Sequence, residues 1–255
     1  MSASPAAASA SDVRADTVNR TTRLAAVGAG AGLVAGVATG VLARLAMRVL
    51  AATSPDARGR ITDDQAEVGV ISVDGTFFLL IVVTILGAIA GLLYAGARFA
   101  LPGPPSVRAA TFGVVTGLLG GSLSVKDSAS FDFGVLSPQW FAVLAFTLIP
   151  GFCGWLAAVL VERWHRYGED RPPWLDGTVV AVGALGILVS FPVSVPLLIV
   201  ALVVAQVPVL ARTWRGRTGR LLVRAVLVAA AVFGLYGLTA DIVSIATDTP
   251  LASGG

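Results

Sequence analysis

The chain holds one cysteine, one histidine and one lysine among 255 residues, and only 13% of it is charged. Each scarcity removes a class of function. Cys153 alone forms no disulfide and no cysteine-based metal site within one chain. His165, in VERWHRYGEDRPPW, cannot supply a two-histidine metal site, and general-base catalysis needs a partner group that this stretch does not offer. An interfacial basic and aromatic loop is its ordinary reading, one suited to acidic inner-leaflet lipid, as is RTWRGRTGR. With no lysine in the last apolar run, a retinal Schiff base is excluded. The net charge of +3 is too small, and its arginines too dispersed in short loops, for nucleic acid to be a partner.

What fills the chain instead is apolar. Hydrophobic residues make up 56% of it and the mean hydropathy is +0.84. A soluble domain carries about a quarter charged residues, and several uncharged runs here exceed the roughly 18 residues that mark a membrane span. The reading is an all-α, polytopic membrane helix bundle. Arginine supplies all but one of the basic residues, and Ala, Val, Gly and Leu dominate, a usage like that of high-GC actinobacteria.

Residues 1–22 begin MSASPAAASAS and are expected to form a disordered cytoplasmic tail, because they lack the large apolar groups that would offset ordering. Spans are expected near 24–52, 76–101, 109–125, 140–161 and 221–246, with residues 247–255 as a short C-terminal tail. Pro102, Pro104 and Pro105 separate the second from the third. Residues 177–211 carry no charge and are longer than the ~20 residues one helix needs. Pro192 and Pro196 in the middle of this run predict a turn there and two short spans. The total is then seven, or six if 177–211 crosses once. Seven spans with a cytoplasmic N-terminus put twelve arginines inside and three basic residues outside, whereas six spans reduce the bias to eight against seven. The expected location is a bacterial inner membrane, with the C-terminus extracytoplasmic.

Three spans share a pattern of glycines four apart: Gly36 and Gly40, Gly87 and Gly91, Gly113 and Gly117. Such pairs leave a flat strip on which a neighbouring helix approaches closely, and the first three spans are expected to pack together through them. An internal repeat of the transporter kind is the sharper reading, and chance among 29 glycines the plainer one. Pro150 and Gly151 predict a kink in the fourth span.

The candidate site is charged. Arg44 and Arg48 lie four residues apart, and hence on one face, inside an apolar segment. Asp241 lies as far into the last span as Arg44 lies into the first, so a contact from Arg44 or Arg48 to Asp241 is expected to close the bundle. Asp63 and Asp64 in the first outer loop and Asp132 in the next complete a vestibule able to bind a small anion or a partner. Asp63, Asp64 and Glu67 lack the alternating ligands and central glycine of a calcium loop. RGRTGR resembles the basic loop of major facilitator transporters but lacks its acidic residue.

The succession RLAMRVLAATSP, ITDDQAEVGVISVDGT and FDFGVLSPQW resembles multi-pass membrane proteins of actinobacteria with no assigned activity, over roughly the first 160 residues. The resemblance implies class and source and carries no catalytic residue. No nucleophile, base, metal set or cofactor site assembles from these residues. The expected function is that of a non-enzymatic accessory subunit or sensor, whose partners are the bilayer and a membrane protein or a second copy. A small-molecule transporter is the alternative, and an intramembrane enzyme using outer aspartates comes third.

Overall fold

The computed structural model describes residues 10–54, 73–125, 138–166 and 216–247, with Gly59 and Ala181 as isolated positions. Five α-helices account for nearly all of them: α1 (Ala10–Thr53), α2 (Val73–Ala97), α3 (Pro105–Ser124), α4 (Gln139–Arg166) and α5 (Arg217–Thr247). Four stretches are long and apolar enough to cross a membrane: Thr21–Thr53, Gly75–Ala97, Gln139–Arg166 and Arg217–Ile245. The described residues therefore hold five helices and not seven, and the pair expected over 177–211 lies outside them.

Boundaries shift for local reasons. The expected tail is helical from Ala10, so α1 reaches 44 residues, about 66 Å at 1.5 Å per residue. At the second span the helix stops at Ala97, and residues 98–104 form the connection that the prolines enforce. Within it Gly103 has φ +87°, a conformation that a side chain disfavours. Pro105 opens α3, where its missing N–H costs nothing. Residues 105–124 span about 30 Å, yet α3 falls short in hydropathy of the other four, because Arg108 and its glycines, serines and threonines dilute it. Its buried Ala109, Phe112, Gly113, Val115, Gly117 and Gly121 face protein instead.

The glycines do not join the first three helices into one cluster. They build two separate seams. Across α1 and α2, a methyl added at Gly32 would overlap the Gly87 carbonyl, and one at Gly36 would lie 2.6 Å from Thr84 Cα. Gly28 against Gly91 and Gly40 against Leu80 extend that seam over three turns. Across α3 and α4, a methyl at Gly113 would come 2.7 Å from Trp155 Cβ, and one at Gly117 would come 3.3 Å from Gly151 Cα. The reason is pairing: α3 offers its glycine strip to α4, whose Gly151 and Gly154 lie three apart and not four. Pro150 lies inside α4 without ending it, its ring seated against Gly120.

Helix α4 holds the two seams together, since it packs on α1, α2 and α3. Helix α5 packs on α3, with Gly234 against Leu118 and Gly237 against Ser122. Numbers rise together along that contact, so α5 runs parallel to α3. Two apolar clusters fix the ends of the bundle. One gathers Val27, Ala31, Tyr94, Leu101, Phe112 and Val161, with Leu227 packed on it. The other gathers Leu50, Val125, Ala142, Leu238 and Ile245. The first end receives the starts of α1, α3 and α5 and the finishes of α2 and α4. Arg23, Arg98, Arg108, Arg163, Arg166, Arg217, Arg220 and Arg224 lie towards that end, the basic end of the bundle.

Candidate functional site

Two polar sites stand at opposite ends. At the end away from the arginine cluster, Arg44 of α1 is half-buried and donates from Nη2 to Thr76 Oγ1 at 2.8 Å, across the seam to the start of α2. Its Nε is buried with no hydrogen-bond partner among the described residues. A buried donor left unpaired costs about 1–3 kcal/mol, so this guanidinium is held with one edge unsatisfied. Arg48, a turn further on, is exposed.

Neither arginine forms an ion pair with Asp241 among the described residues. The ion pairs found there both belong to Glu162. The physical reason lies in the packing. Helix α1 commits its glycine strip to α2, so Arg44 meets the start of α2, while α5 is drawn to α3 by Gly234 and Gly237. At the level of Asp241, Leu50 of α1 and Leu238 and Ile245 of α5 share one apolar cluster with Val125 and Ala142. Asp241 is half-buried on α5. Asp63, Asp64 and Asp132 lie outside the described residues. Of the glycine candidates, Gly36, Gly40, Gly87 and Gly91 belong to the first seam and Gly113 and Gly117 to the second.

The second site was not singled out in the sequence. Glu162, 3% exposed, lies near the end of α4. Its Oε1 accepts the Tyr94 hydroxyl at 2.8 Å and lies 3.3 Å from Arg108 Nη1, and its Oε2 lies 3.5 Å from Arg98 Nη2. Three helices and a turn thus meet on one carboxylate. Tyr94 is fully buried, and its ring meets Phe112 edge-on with centroids 5.2 Å apart. Arg108 Nε also donates to the Gly103 carbonyl at 3.0 Å, and Arg224 Nε from α5 donates to the Ala100 carbonyl at 2.7 Å. The turn between α2 and α3 is therefore pinned from both sides.

The sequence did carry a signal for this cluster. Tyr94 and Arg98 are four apart at the end of one span, Arg108 opens the next, and Glu162 lies one turn inside Arg166 on a helix of opposite direction. Counting depth from the basic boundary puts all four at one level. No family model, curated protein or solved structure matches the chain.

Proposed function

We propose that this protein is a non-enzymatic, seven-span component of a bacterial cell membrane, an accessory subunit or sensor whose extracytoplasmic face presents Arg44 and Arg48 to a membrane-protein partner or a small anionic ligand. The observation that carries the reading is the Arg44 guanidinium, wedged between α1 and α2 with Nε buried and unpaired. Charge-assisted bonds to an anionic group stabilise such an arginine more than neutral ones do. The glycine seams favour a packed subunit over a permease. Between the two ends, the buried polar side chain of the described helices is Thr39, whose hydroxyl is spent on the Ala35 carbonyl at 2.7 Å.

The span count rests on direction. Helix α4 finishes and α5 starts at the basic end, which agrees with the sequence reading of 177–211 as two spans. Two crossings suit the uncharged length of 177–211, and one does not. The cytoplasmic side is then the basic end.

The test is purification of the full chain in a mild detergent, alone and as Arg48→Gln, an exposed change that leaves the fold in place. A partner retained at fixed stoichiometry by the wild type and lost from the variant is the expected result. Equal retention by both sinks the site, and Arg48-dependent uptake of a small anion into proteoliposomes would move the assignment to a permease.

A further inference from the structure

At the basic end, three guanidinium groups surround one short turn, and two of them share one carboxylate. Glu162 neutralises one charge, so among the described residues Arg98, Arg108 and Arg224 keep a surplus of two positive charges around residues 98–104. Each arginine is anchored by part of its fork only. Arg98 uses Nη2 on Glu162, Arg108 uses Nη1 on Glu162 and Nε on Gly103, and Arg224 uses Nε on Ala100. A guanidinium has five N–H donors, so each retains donors beyond these. The side chains of Arg98 and Arg108 are 17% and 22% exposed, enough to be reached from the membrane boundary while held by the buried carboxylate beneath. Helix α3 starts in the same turn with no side-chain cap and no acid in its first turn, which adds unpaired backbone donors and a partial positive charge.

We propose that this turn is a phosphate site: Arg98, Arg108 and Arg224 clasp a phosphate group from the cytoplasmic side, and Glu162 with Tyr94 holds the first two arginines in position. Fixed forks are suited to phosphate oxygens, which accept paired N–H bonds. The phosphate comes from an anionic lipid headgroup or from a soluble phosphate ester, and the site recognises what the two share. It lies at the end of the bundle opposite Arg44 and stands or falls independently of it.

The test uses the full chain in neutral detergent, with thermal unfolding followed while phosphatidylglycerol, a neutral glycolipid without phosphate, or inorganic phosphate is added. Phosphatidylglycerol or inorganic phosphate is expected to raise the midpoint, and the glycolipid is not. Stabilisation by the lipid that millimolar phosphate does not compete away identifies the headgroup; competition identifies the soluble source. Arg224→Gln, which spares both Glu162 ion pairs, should weaken the effective affinity about 10-fold. Arg224→Lys should fall between, since it keeps the charge and loses the fork. Arg23→Gln removes the same charge from the same end and should change affinity by less than about twofold. Resistance of the buried Cys153 to a thiol reagent reports that each variant is folded. Wild-type affinity in Arg224→Gln, an equal loss in Arg23→Gln, or no response to either phosphate probe overturns the proposal.

Discussion

A carboxylate 3% exposed among apolar helices persists only because its oxygens are occupied. Glu162 takes a hydroxyl and two guanidinium groups, and removing it strands all three. Glu162→Ala is expected to destabilise the protein by about 3–5 kcal/mol, the range for breaking one side of a buried ion pair. Tyr94→Phe removes a single hydrogen bond to a charged acceptor and should cost about 1.5–3 kcal/mol. Denaturant unfolding in detergent measures both, and a Glu162→Ala protein as stable as wild type would show that the cluster is not a structural node. The sequence hid this residue because Arg98 and Arg108 look like ordinary orientation signals and Glu162 looks like part of a solvated loop. Its burial depends on α4 continuing to Arg166, beyond the expected end at residue 161.

At the scale of helices, contact between backbones replaces the side-chain interdigitation of a soluble core. Gly32→Ala would press a methyl into the Gly87 carbonyl and is expected to cost about 1–3 kcal/mol or more by overpacking. Gly96→Ala, on the same α2 that forms the seam, meets nothing within 4 Å and should be neutral or stabilising by about 0.5–1 kcal/mol through helix propensity. Thermal unfolding of the two variants side by side separates packing from propensity, and equal effects would contradict the seam. The helices themselves were legible, since long uncharged runs between prolines and arginines leave few alternatives. Their partners were not. A glycine pair such as Gly113 and Gly117 announces that some helix comes close, while the choice of α4 depends on Gly151 and Gly154, spaced three apart and so outside the pattern. Depth along an axis places Arg44 and Asp241 at one level without choosing partners around it, and the partner Arg44 takes there is Thr76 of α2.

For the whole molecule, direction is the strongest statement the packing makes. Cysteines introduced singly at Arg166 and Arg217, both exposed, should react with a membrane-impermeant thiol reagent from the same side, and one at Thr53 from the other, while buried Cys153 stays silent. Labelling of positions 166 and 217 from opposite sides would contradict the shared end that the packing gives the finish of α4 and the start of α5. The Tyr94 hydroxyl and its acceptor Glu162 are separated by 68 positions of chain. At roughly 5–20 residues per second the ribosome needs about 3–14 s to travel that far. Until then Tyr94 and Arg98 have no Glu162 to bind, whereas the glycine seam of the first hairpin needs no residue beyond Ala95. Bundle closure is thereby tied to the arrival of the α4 terminus, and a nascent chain stalled before codon 162 would leave an inserted hairpin with an unlatched base.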